Sequence, residues 1–117
     1  MKITRIICME DGASAFEDLE IELTDSGTIG SLSKPYPVSS VVFRETPPEY
    51  DFDWHPVPHR QYIILLDGEI QIEVGMGDKR RFRGGDLLLL EDIWGSGHRT
   101  RTTDGKLHRS ICIRLET

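Results

Sequence analysis

The chain has little that would mark it as a nucleic-acid, membrane or disulfide-built protein. Lys and Arg number 14 against 20 Asp and Glu, a formal net charge of −6. General nucleic-acid binding needs a basic footprint, so that class is excluded. The local clusters Lys79-Arg80-Arg81 with Arg83, and Arg99 with Arg101, read as solvated strand faces. No apolar run approaches the roughly 20 residues of a membrane-spanning helix. The opening MKITRIICMEDGASA begins basic and ends in small residues, but its apolar part stops at Met9 against Glu10-Asp11. A secretory core needs about 7–15 apolar residues, so the expectation is a cytoplasmic chain.

Cysteine is also scarce. Cys8 and Cys112 are the only two, both in apolar strand-like contexts. They read as small core hydrophobes, although neighbouring strands could still bring them together. There is no Cys-rich zinc pattern, serine nucleophile elbow or phosphate-cradling glycine loop. Gly75-Met76-Gly77 is a hairpin turn. No repeat or low-complexity tract divides the 117 residues, so the expectation is one domain over 1–117.

A convincing amphipathic helix is missing as well. SAFEDLEIEL comes nearest, but Leu19, Ile21 and Leu23 alternate with Glu20 and Glu22, which is strand periodicity. What is present is a series of short strands cut by turns. Strands are expected at Lys2–Met9, Ser39–Arg44, Arg60–Leu66, Glu69–Val74, Lys79–Arg83, Leu87–Leu90 and Arg109–Leu115. Asp67-Gly68 predicts a hairpin between the third and fourth of these, because Gly accepts positive φ. Many short strands and almost no helix mean an all-β sandwich or barrel.

Two segments carry chemistry. DWHPVPHRQYIILLDGE holds His55, His59 and Gln61, and GDLLLLEDIWGSGH ends in His98. Together they resemble the two motifs of the cupin superfamily. Gly68 fits the closing glycine of the first motif, Gln61 stands at its Glu position and His55 at its first His. Val57 occupies the second His position and Glu49 the opening Gly, so two consensus residues are absent. In the second motif Gly85 fits the first glycine, and Gly95 with His98 fits the Gly-x-x-His ending. Glu91 replaces its Pro and Thr102 its Asn.

The resemblance covers about residues 39–115 and is similar to that of small single-domain bacterial cupins. It implies an RmlC-like jelly-roll β-barrel of two antiparallel sheets with little helix, and a divalent metal inside it. The ligand set so implied is His55, His59, Gln61 and His98, with Zn, Ni, Fe or Mn as the ion.

Physical chemistry limits that set. Alternate residues of a strand share a face, so His55, His59 and Gln61 have one parity, continued by Ile63 and Leu65. Residues four apart on a straight strand are about 13 Å apart, too far to share an ion bonded at about 2 Å. Only a bend at Pro56 and Pro58, neither of which can donate to a ladder, would fold His59 back. An amide at Gln61 is a poorer ligand than a carboxylate.

The pattern therefore predicts a His-lined pocket at a barrel mouth, formed by His55, His59, Gln61 and His98. Trp54 and Trp94 would flank a small organic ligand. His108 is expected at the surface. FRETPPEYDFDW reads as a Pro-containing loop whose Glu45, Glu49, Asp51 and Asp53 chiefly solubilise it. Two function classes follow: a binding module for a small molecule or metal, or a metal-dependent enzyme such as a dioxygenase or isomerase.

The opposite parity, Tyr62, Ile64 and Leu66, needs cover from a second sheet or a second chain. Met1–Cys8 has no evident hairpin partner nearby, so residues 1–10 could form a strand-exchanged arm. Both features predict a homodimer.

Overall fold

The computed structural model describes residues 1–116 and is all-β, with two short 3-10 turns at Gly27–Ile29 and Gly75–Gly77 as its helical content. No helix among these residues is long and apolar enough to cross a membrane. The strands are β1 (Lys2–Cys8), β2 (Ser14–Glu20), β3 (Thr24–Asp25), β4 (Ser31–Leu32), β5 (Ser40–Thr46), β6 (Asp51–His55), β7 (Gln61–Leu65), β8 (Glu69–Glu73), β9 (Lys79–Arg83), β10 (Leu87–Leu90), β11 (His98–Thr102) and β12 (His108–Arg114). One sheet has the order β2-β1-β10-β7-β12-β5, a second β6-β11-β8-β9, and β3-β4 form a small ribbon.

The alternating pattern of each strand decides which side it buries. Ile70 and Ile72 of β8 and Phe82 of β9 meet Ile6, Leu65, Leu88 and Leu90 of the larger sheet in one core, closed by Val57 and Val74. The polar partners of that alternation form a charge ladder outside: Arg81 and Arg83 on Glu69, Arg99 on Asp51. The basic clusters are thus solvated strand faces, as their sequence suggests.

The expected barrel is not closed. Among the described residues no ladder joins β5 to β6 or β2 to β9, and the two sheets stack as an open sandwich. At the β2/β9 edge side chains substitute for backbone pairing: Arg80 binds Asp18, and Phe16 packs on Phe82. At the other edge Pro47-Pro48 turns the chain from one sheet into the next, so β5 and β6 separate.

Three expectations are corrected. Asp67-Gly68 is not a hairpin: β7 pairs with β10 and β12, whereas β8 pairs with β9 and β11. A type I′ hairpin needs positive φ at both central residues; only Gly68, at φ 76°, has it. The turn carries the chain across the sandwich, and Gly68 lies so close to His108 that a Cβ would collide with it. Met1–Cys8 does have a partner close in sequence. β1 forms a hairpin with β2 and a parallel ladder with β10, so Lys2–Cys8 lies inside the sheet. FRETPPEYDFDW is not a loop but the end of β5, a turn and most of β6. Cys8 and Cys112 are both free thiols.

Candidate functional site: a two-histidine cavity between the sheets

The space left between β5, β7, β12 and β6, β8, β11 is a cavity of about 390 Å³. Its floor is apolar, from Ile63, Leu65, Ile70, Ile72, Leu88 and Leu90. His55, Gln61 and His98 line it.

His98 opens β11 and pairs in register with His55 at the end of β6. Their rings lie 4.8 Å apart between centroids. Gly97 permits this approach. Its φ is 73°, and a Cβ there would collide with the His55 carbonyl and the Pro56 nitrogen. β6 also carries an irregularity: His98 pairs with His55 but Thr100 pairs with Phe52, so β6 has one residue more than β11 over this stretch. Such a bulge re-aims a side chain. It brings His55 onto the same face as Phe52, ring centroids 3.7 Å apart, and leaves Trp54 outside.

Each imidazole is anchored by its Nδ1. His55 Nδ1 lies 2.7 Å from the Asp53 carbonyl oxygen, which can only accept, so this nitrogen carries the proton. His98 Nδ1 donates to Asp92 Oδ2 at 2.6 Å. The same oxygen accepts the Ser14 hydroxyl at 2.7 Å. Asp92 is 0% exposed and its Oδ1 has no partner among the described residues. Both Nε2 atoms are thereby left as acceptors, the usual consequence of fixing an imidazole tautomer from behind. Burial is the chief force that pulls the His55 pKa below its ordinary value; the neighbouring His98 and Arg44 add to it, against the Asp53 carbonyl and Asp92.

Other expected residues lie elsewhere. His59 is exposed and does not line the cavity, because Pro56 to Arg60 leaves the strand and parity no longer holds across it. Trp54 and Trp94 are exposed on the outer surface. Of the four loop carboxylates, Asp51 pairs with Arg99 on the outer face. The surface position expected for His108 is wrong: it is buried and lines the cavity, since it alternates inward with Ser110 and Cys112. Sequence reading also misses Asp92, whose only signal is an acidic pair directly after four leucines. Its neighbour Glu91 is held by Arg5 and Arg60 instead.

The donor set does not fit a tightly held metal. Val57, at the second consensus His, is a core residue, and His59 is outside. Among the described residues no group of three or more His, Cys, Asp or Glu converges as an ion site. Two imidazoles and an amide remain, short of the three strong ligands of a catalytic zinc site.

The arrangement of sheets matches known structures. No protein-family model matches the chain, and no curated protein matches it in sequence. The cupin domain of Cnp3 from Schizosaccharomyces pombe superposes with a TM-score of 0.54 at 15% identity, covering 98% of this chain and 88% of that one. A Cupin 2 conserved barrel domain protein from Salinispora arenicola gives 0.53 at 16% identity, over 72% and 71%. A cupin domain from Bordetella pertussis gives 0.51 at 13% identity, over 73% and 100%. The chain has the cupin fold, and the fold is what these similarities establish.

Proposed function

We propose that the protein is a small-molecule-binding cupin whose ligand enters the cavity between the sheets and is held by His55 and His98. The observation that carries this reading is the pair of adjacent imidazoles, each fixed at Nδ1 and each presenting Nε2 to a cavity of ligand size. Pockets of this kind combine apolar walls with a few placed polar groups. Gln61 adds an amide at the same opening.

A tightly bound ion is not part of the proposal, because among the described residues no three His, Cys, Asp or Glu side chains converge on one point. Elemental analysis of untagged protein after dialysis against a chelator should find metal well below one ion per chain. Stoichiometric metal surviving that treatment would replace this reading with a metal-dependent one. The binding itself is tested by thermal-shift screening of small polar organic molecules. A ligand at 100 times its dissociation constant stabilises a fold by about 2.7 kcal/mol. The shift should disappear in His55→Ala and His98→Ala, and a hit that survives both places the site elsewhere.

A second reading, an enzyme, is favoured by one observation. Asp92 behind His98 is the carboxylate–imidazole pairing used to orient a general base. An isomerase-type proton transfer by His98 Nε2 requires no metal. Exchange of a substrate C–H proton with deuterated solvent, lost in His98→Ala, would distinguish catalysis from binding alone.

A further inference from the structure

The cavity has a second polar end that the histidine pair does not explain. Arg44 of β5 lines it, in register with Ser110 of β12. The guanidinium stands 5.0 Å over the ring of Tyr50. Arg5, Arg60, Arg80, Arg81, Arg83, Arg99 and Arg109 each hold a carboxylate. Arg44, Arg101 and Arg114 hold none among the described residues, and of these Arg44 lines the cavity. The Tyr50 ring lies beneath the guanidinium and the Cys112 thiol beside it, and neither neutralises its charge, a setting in which an arginine can take an anion.

The surroundings point the same way. Thr46 and Ser110 place hydroxyl-bearing side chains on this wall, both buried. His108 beside them is 4% exposed and lines the cavity. The chain carries 20 Asp and Glu and a net charge of −6, yet no Asp or Glu lines the cavity. Its charged and titratable lining consists of Arg44, His55, His98, His108, Cys112 and Tyr50. An acidic protein thus encloses a space with an arginine and no carboxylate. Between the two polar ends the walls are aliphatic.

We propose that the ligand of this cavity is a small organic carboxylate, its anionic group bound by Arg44 with His108 and Ser110 as further hydrogen-bonding groups. Its apolar body lies over Ile63, Leu65 and Ile72, and its far end meets His55 and His98. This rests on the cavity being the binding site, and adds the ligand's charge and the direction in which it lies. Arg44 stands where the sandwich is open between β5 and β6, so the anionic group sits at the entrance and the apolar body points inward.

The test compares acids with neutral amides of the same shape: benzoate with benzamide, phenylacetate with phenylacetamide, hexanoate with hexanamide. Binding is measured by calorimetry or by ligand-observed NMR. At least one acid should bind tenfold or more tightly than its amide. Arg44→Gln should abolish that preference by weakening the acid tenfold or more beyond any loss for the amide, and Arg44→Lys should restore part of it. Arg44 is exposed on an edge strand, so these variants leave the core untouched; an unchanged melting temperature without ligand checks this. His98→Ala should weaken acid and amide alike. If acids and amides bind equally, or the preference survives Arg44→Gln, the carboxylate proposal is overturned while the cavity remains the site. If no compound binds at millimolar concentration, the proposal fails for carboxylates of this size. If binding occurs but survives His98→Ala, the cavity reading itself fails.

Discussion

His55 and His108 sit in the same cavity, and both are held below the ordinary histidine pKa of 6.5, chiefly by burial and with the positive charge of Arg44 adding to it. The unfolded chain has no such constraint, so its histidines take up protons near pH 6.5. Below that pH the unfolded state binds protons that the folded state refuses. Stability then rises with pH in this window and falls on acidification. Equilibrium denaturation at a series of pH values should show a decline from about pH 6.5 downward. The decline should be shallower in His108→Gln than in the parent after correction for its lower starting stability. An equal slope in both would show that His108 is not one of the groups responsible. Gln61 and Asp92 illustrate two further residue-scale outcomes. Gln61 reaches the cavity because it shares parity with Ile63 and Leu65 on one strand. Asp92 reaches His98 from a loop, by a path no periodicity describes.

Single strands are less informative than the irregularities within them. The extra residue of β6 opposite β11 decides that His55 faces inward with Phe52 and that Trp54 faces out. Removing Trp54 would regularise the ladder, and because alternate strand residues share a face, Phe52 and His55 would stay on the cavity side opposite Thr100 and His98. The variant should keep its β-sheet circular dichroism and bind ligand within about threefold of the parent. A tenfold loss of affinity would mean that Trp54 is not the extra residue of the ladder. Gly97 is the matching feature on β11. Gly97→Ala forces a side chain into φ 73° and against the β6 backbone, and strain of this type costs about 1–3 kcal/mol. Denaturant unfolding measures that loss directly, and a change below about 0.5 kcal/mol, the usual range for surface substitutions, would contradict the close approach.

The outer face of the larger sheet is the main feature of the whole molecule that one chain leaves unfinished. Val41 and Phe43 of β5 are 50% and 79% exposed. They continue in register into Ile113 and Ile111 of β12, then Tyr62 and Ile64 of β7, all half-buried. β5 is also an edge strand with its outer ladder positions unpaired, which is a liability natural sheets normally cover. We propose that a second copy covers this face, forming an isologous dimer. Light scattering should then give twice the chain mass of 13.3 kDa, and Phe43→Glu should return it to one chain mass with the fold intact. A parent that scatters as a single chain at micromolar concentration would end this proposal. The N-terminal strand is not required for it, since β1 is paired on both sides within its own sheet.

What the sequence by itself determined is everything that depends on local period and turn chemistry. Alternation at Ile70 and Ile72, the Gly75–Gly77 turn and the apolar run Leu87–Leu90 place strands where strands are found. Motif spacing singles out His55, Gln61 and His98, three residues that line one cavity. Only the tertiary structure decided the rest, because those features depend on what lies opposite. Asp67-Gly68 reads as a hairpin locally, but β7 and β8 each find better partners in separate sheets. Parity carries His59 inward on paper, but the chain between Pro56 and Arg60 is not a strand. His108 reads as surface because it begins a strand, although the same alternation that buries Ser110 and Cys112 buries it too. Arg44 looks like one more charge on an edge. It becomes a candidate anion site only when the fold surrounds it with a cavity that contains no carboxylate.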